Sequence, residues 1–227
     1  MYIPRHFRMS TEEARSALAH VQLADLITVD PETFSPVLTP VPFVYDPTVG
    51  ELGVMQGHLA RPNTQWSHTA HPALVVIRGE DAYLTPDWYP SYRAGTQTVP
   101  TWDYEVVQAT GRLVTHTDPE WLENHVRTLA ARHDATYDLD GVDRESLAGM
   151  LRALVGIEVV ITAVEGKSKL SQNRSTADIE GVAEGLEGIG REALADRIRD
   201  VAAPYAAIRE SAVESARRRG RDWLIRE

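Results

Sequence analysis

The segment Gly166-Lys167-Ser168-Lys169-Leu170-Ser171-Gln172-Asn173-Arg174 places three cations and two side-chain amides directly after a β-branched run. Its two lysines are the only ones in the chain, which otherwise uses arginine. Cations and amides converging on one connection suit an anion, because charge-assisted hydrogen bonds to phosphate or carboxylate are the strong ones. A solvated strand-to-helix connection explains one lysine easily and two with less ease. A second polar segment, Gly57-His58-Leu59-Ala60-Arg61-Pro62-Asn63-Thr64, lies where a strand enters a helix, so free backbone N–H groups and Arg61 could hold a phosphate there. Trp66, Trp88 and Trp102 sit in or beside predicted loops, where a tryptophan can stack on a planar ligand or serve as satellite core.

Other chemistries find less support. His68-x-x-His71 straddles a predicted helix-to-strand junction beside Pro72, with no carboxylate at ligand spacing, so His58, His68 and His71 are expected to be polar loop or surface groups. His125 and His133 are expected on an exposed helix. The chain has no cysteine, which removes disulfides, Cys-ligated metals and a thiol nucleophile. It also lacks a Gly-x-Ser-x-Gly elbow for acyl transfer. Gly185, Gly188 and Gly190 lie in a helical acidic segment and do not follow a strand, so they mark helix breaks and not a phosphate loop.

The elements that must carry these groups follow from periodicity and stop signals. Ser10 and Glu13 have capping-box spacing and start a helix over about 11–22. Strands are predicted at 24–29, at 37–45, at 51–58, at 73–77, at 82–85, at 104–115 and at 157–164. The second contains two prolines, Pro40 and Pro42, and is therefore an edge or bulged strand. Gly79-Glu80-Asp81 is expected to turn between the fourth and fifth. A loop over 86–100, long enough to suggest function, holds three prolines. Helices are predicted from Asp118-Pro119, over 144–154, and from Ser175 to the end, with Pro204 kinking or splitting the last. Six or seven strands not alternating with helices argue for an antiparallel barrel with helices outside, against a doubly wound parallel sheet.

Five ordered segments carry a resemblance: Met1-Tyr2-Ile3-Pro4-Arg5-His6-Phe7; Gly57 to Asn63 with Gln65-Trp66; Ala82 to Tyr89; Val99-Pro100-Thr101-Trp102-Asp103-Tyr104; and Lys169-Leu170-Ser171-Gln172-Asn173-Arg174. Over roughly residues 1–185 the chain resembles the PaiB-type, FMN-binding negative transcriptional regulators of the pyridoxamine-phosphate-oxidase-like group. The resemblance implies a mainly β fold with α-helices: a six-stranded antiparallel split β-barrel with flanking helices, assembled as a homodimer with flavin between subunits. It implies an FMN-binding split-barrel domain over 1–185 and a helical C-terminal extension over 186–227. The implied cofactor residues are Thr39, Val41, Gln56, Gly57, His58, Arg61 and Asn63, with Trp102, Lys167 and Lys169 from the partner subunit. Three departures from the family pattern bear on cofactor affinity: Pro40-Val41-Pro42 replaces His-Leu-Pro, Asp103 replaces asparagine, and Ser168 replaces an aromatic. Asp103 would bring negative charge to the flavin and Ser168 would remove a stacking surface.

Composition bounds the rest. The 227 residues, 43% hydrophobic and 25% charged, suit a globular protein with one large domain or one domain plus an appendage. No stretch approaches the ~18 apolar residues of a membrane span, and the N-terminus lacks a signal-like apolar run, so a cytoplasmic location is expected. Net charge is −10. Residues 191–227 hold 9 basic and 7 acidic groups, so the body carries 14 against 26 (−12) and the tail +2. That balance and the lack of a helix-turn-helix disfavour direct DNA contact and leave any regulation indirect or carried by the tail. The run Arg217-Arg218-Arg219-Gly220-Arg221, interleaved with acids, is expected to be a solvated helix end more than an acidic-partner site. The resulting function is a flavin-binding protein resembling PaiB-type regulators. Its alternatives are a flavin-dependent oxidoreductase and a haem-binding split barrel with His58 or His71 as ligand.

Overall fold

The computed structural model describes residues 1–224, with side chains described as far as Ala216. Its elements run α1 (Thr11–Ala19), β1 (Leu23–Val29), β2 (Pro36–Pro42), β3 (Val44–Asp46), β4 (Val54–Ala60), β5 (Ala73–Leu84), α2 (Pro90–Arg93), β6 (Thr101–His116), α3 (Pro119–His133), α4 (Arg144–Arg152), β7 (Leu154–Lys169), α5 (Thr176–Glu187) and α6 (Glu192–Leu224). The strands form one antiparallel sheet in the order β2-β1-β5-β6-β7-β4-β3. No helix among the described residues is long and apolar enough to cross a membrane.

This sheet corrects the expected six-stranded split barrel: it has seven strands, and its ladder is open, ending at β2 on one side and β3 on the other. The prolines are the physical reason. Where the β1–β2 pairing ends, Asp30 N donates to the Ser35 carbonyl and Phe43 N to the Gln22 carbonyl, so odd-numbered residues of this segment face β1. The even-numbered Pro36, Pro40 and Pro42 therefore face the outer edge and leave Leu38 as the one donor β2 presents there. A single residue, Phe43, joins the two edge strands, and it is fully buried. Gly57 on β4 makes room beside it: a Cβ there would come 2.8 Å from Val41 Cγ1 and 3.1 Å from Phe43 Cδ1. Side-chain packing, with no ladder, fills the seam between the sheet's ends.

The chain divides into two compact units. One comprises residues 9–78 and 106–166. Its core, which includes Leu18, Leu26, Val41, Phe43, Met55, Leu113 and Ile157, is lined by inward-facing strand residues. A smaller apolar cluster of Leu122, Leu139, Leu147 and Leu151 joins α3 to α4 in the same unit. Asp118 and Asp143 cap these two helices by accepting from Trp121 N and Ser146 N.

The other unit comprises residues 1–8, 79–105 and 167–227. Its core gathers Leu84, Tyr89, Leu170, Ile179, Val182, Leu186, Leu194, Ile198 and Ala202. The 185/186 boundary expected from sequence runs through α5, and α6 supplies a large share of this core. Pro204 lies inside α6 and does not split it, although it forgoes the bond to the Asp200 carbonyl. The side chains of Arg217 to Arg221 lie outside the described residues.

Candidate functional site

Three polar groupings collect the residues singled out in the sequence, two in the first unit and one in the second. Thr39 on β2 meets the turn after β4. Its hydroxyl donates to Gln65 Oε1 (2.6 Å) and accepts from Asn63 Nδ2 (3.1 Å). Gln65 is buried and donates to the Leu26 and Val37 carbonyls at 3.1 and 3.0 Å, which fixes the turn against β1 and β2. Asn63 also accepts from Gln65 N, so Asn63, Gln65 and Thr39 form one satisfied cluster. Val41 is in the core and Gly57 faces it, so neither presents a polar side chain to a ligand.

The second grouping was not foreseen. Gln56 Nε2 donates to Glu158 Oε1 (2.9 Å), and Glu158 Oε2 meets His116 Nε2 at 2.7 Å. Trp121 stacks on His116 at 4.2 Å between centroids and on His125 at 5.3 Å. His125 Nε2 lies 3.1 Å from His58 Nδ1. Gly156 makes the stack possible, because a Cβ there would sit 2.1 Å from Trp121 Cζ3. His125, expected to be exposed, is 3% exposed, and its Nδ1 has no partner among the described residues. Burial and then the neighbouring His58 pull its pKa down to about 4. Burial lowers that of His58 as well. Both rings are therefore held neutral, sharing one N–H between facing nitrogens. The signal that could have found His125 is spacing: it follows buried Leu122 by three residues and so shares its helix face.

His68 is also buried, and its Nδ1 meets the Thr28 hydroxyl at 3.0 Å, while His71 lies beside Phe34. Arg61 turns toward the end of α4: Nε donates to the Arg152 carbonyl (2.7 Å) and Nη2 to the Leu154 carbonyl (2.8 Å). One donor thus satisfies the carbonyl of the last residue of α4, which a helix end leaves open, and the other that of the first residue of β7.

In the second unit, Trp102 on β6 is 50% exposed, donates from Nε1 to Asp81 Oδ1 (2.8 Å) and packs edge-on against Tyr83. Lys167 on β7 holds its ammonium 5.1 Å from the centroid of the Tyr104 ring, and no carboxylate among the described residues pairs with it. Strand alternation puts Trp102 and Tyr104 on the same face of β6. Lys169 is spent internally: its ammonium donates to Thr101 Oγ1 (2.9 Å), to the Trp102 carbonyl and to Asp103 Oδ1 (3.1 Å).

The two departures expected to weaken flavin binding point inward. Asp103 is fully buried and accepts from Ser171 Oγ at 2.6 Å; burial raises its pKa against the pull of Ser171 and Lys169. Ser168 is buried too and donates to Glu105 Oε1 (2.8 Å), which Arg197 also holds (2.9 Å). Neither touches the exposed face carrying Trp102. The rest of the Lys-Leu-Ser-Gln-Asn-Arg motif is a clasp. Leu170 N donates to Gln172 Oε1, Gln172 Nε2 donates to the Ser168 carbonyl, Ser171 takes a left-handed φ of 61°, and Arg174 covers the Tyr89 ring at 4.4 Å.

A family model described as "Putative FMN-binding domain" matches residues 1–163. The chain belongs to this FMN-binding domain family. Curated relatives include an uncharacterised protein of Emericella nidulans, 26% identical, with 67% of this chain and 76% of that one covered. Another, from Saccharomyces cerevisiae, is 28% identical over 59% of this chain and 90% of its own length. Among solved structures, a conserved hypothetical protein of Mycobacterium tuberculosis aligns with a TM-score of 0.54 at 13% identity, covering 74% of this chain and 91% of that one. The flavocytochrome Anf3 of Azotobacter vinelandii aligns at 0.51 and 12%, covering 74% and 72%. These structures share the fold. The match supports a flavin-binding domain and is not specific to PaiB-type transcriptional regulators, and the open sheet overturns the split-barrel expectation.

Proposed function

We propose that the protein binds FMN as a homodimer, with Trp102 and Lys167 of one copy meeting the Thr39–Asn63 cluster of the other. The observation that carries this reading is the exposed aromatic face of the second unit, where half-exposed Trp102 and the Tyr104 ring accompany an ammonium with no carboxylate partner among the described residues. A flavin phosphate needs a cation that is not already neutralised, and the isoalloxazine needs a flat apolar surface. The residues present fit the group. The second Nδ2 hydrogen of Asn63, beside the one given to Thr39, adds a donor for the ribityl or phosphate oxygens. Lys169 and Arg61 drop out of the proposed grip because internal carbonyls and Asp103 occupy them. Membership of the FMN-binding domain family supports the choice of ligand. When bound, the isoalloxazine supplies hydride or electron transfer, and the protein contributes position and electrostatics.

The test is the visible spectrum after incubation with FMN and desalting. Retained maxima near ~450 and ~375 nm are expected for oxidised flavin. Lys167→Gln and Trp102→Ala should each reduce retention, whereas Lys169→Gln should act mainly on stability. A protein that elutes colourless as a monomer overturns the proposal. Consumption of NAD(P)H by the loaded protein then separates an oxidoreductase from a flavin carrier.

A further inference from the structure

We propose a second ligand site, for a small amphipathic carboxylate, in the cleft where α3 and α4 meet the end of β4. The cleft has a volume of about 360 Å³. That is at the lower end of small-molecule pockets, too small for a flavin and suited to a medium-chain or single-ring acid. Its floor is apolar: Leu122, Leu147 and Leu151 are buried side chains of the α3–α4 cluster. Its rim is cationic, with Arg61, Arg144 and Arg152 against one carboxylate, Glu123.

The charge balance favours an added anion. Glu123 is already shared, since Arg127 reaches its Oε1 at 3.1 Å and Arg144 reaches the same oxygen at 3.1 Å. Arg61 is locked in plane by the Arg152 and Leu154 carbonyls, which use two of its five donors and leave three. Arg152 has no ion-pair partner among the described residues. The rim thus carries three cations and one partly neutralised acid, a local excess of +2 in a chain of net charge −10. A planar carboxylate would complete the guanidinium forks while its apolar body covers the leucines.

This inference stands apart from the flavin proposal, because none of the groups assigned there lines the cleft. The experiment is calorimetric titration of the full chain with sodium octanoate, octanol and acetate. Octanoate is expected to bind at least tenfold more tightly than either octanol or acetate, because both the charge and the apolar body are needed. Arg152→Gln, on an exposed side chain, should weaken octanoate at least fivefold and leave FMN retention unchanged. Ala148→Trp, which fills the cleft from its exposed wall, should abolish octanoate binding. Equal affinity for octanol and octanoate, or an Arg152→Gln protein that binds octanoate as wild type, overturns the proposal.

Discussion

His58 and His125 show what burial does to a pair of bases. The folded protein holds His125 neutral with a pKa of about 4, whereas the unfolded chain accepts a proton near the ordinary 6.5. A base whose folded pKa is depressed contributes stability in full above the unfolded pKa and loses it as pH falls. The protein should therefore lose up to ~3 kcal/mol between about pH 6.5 and pH 4 through this ring. Asp103 works in the opposite sense, since its raised pKa favours the folded state at low pH and loses that advantage as pH rises above 3.8. Comparing urea midpoints of wild type and His125→Leu across this range isolates the histidine: the variant should be flatter by about that amount, and parallel curves would refute it. At the neighbouring Gly156, alanine would drive a Cβ to 2.1 Å from Trp121. Gly156→Ala should lose about 1–3 kcal/mol and alter the near-UV signal of the stacked indole.

At the scale of elements, α6 is a structural member and not an appendage. Leu194, Ala195, Ile198, Ala202 and Ala206 are fully buried against α5 and the residues around Tyr89. Ile198→Ala should therefore cost about 2–5 kcal/mol in chemical denaturation. Deleting 191–227 should expose Ile179, Val182 and Leu186, producing strong dye binding and a broadened transition. A truncated chain that unfolds as sharply as the full one would show the opposite.

The same helix illustrates what could be read without coordinates. Its apolar periodicity was legible through Leu194, Ile198 and Ala202, and so were the caps at Ser10, Asp118 and Ser175, because these depend on local spacing. Seven strand segments could be marked within an expected count of six or seven, against the six of the implied barrel, and two of their boundaries differ from the structure. The segment 37–45 breaks at Phe43, where the chain passes from one sheet edge to the other. The segments 73–77 and 82–85 are one strand, because Gly79 serves a close approach to Glu105 and not a turn. Closure failed for a reason also present in the letters, the alternate spacing of Pro36, Pro40 and Pro42, which becomes decisive only once the ladder side is known. Polar residues were harder: Lys167 and Lys169 look alike in sequence, yet one ammonium lies over an aromatic ring and the other has three acceptors.

For the whole molecule, the proposed flavin site makes stability depend on ligand concentration. FMN at a hundred times its Kd should add about 2.7 kcal/mol and raise the thermal midpoint by a few degrees. Lys167→Gln should reduce this shift. An FMN-independent midpoint at saturating cofactor would count against binding to the native state.

The seam at Phe43 has a consequence for how the protein breathes. Elsewhere, parting neighbouring strands means rupturing ladder hydrogen bonds, whereas β2 and β4 are held by side-chain packing and, at one end, by the polar cluster of Thr39, Asn63 and Gln65. Thermal excursions should start along that line, like a coat opening at its unbuttoned side. In deuterium uptake, amides flanking it should label first while those in the middle of the β4–β7 pair remain dark longest.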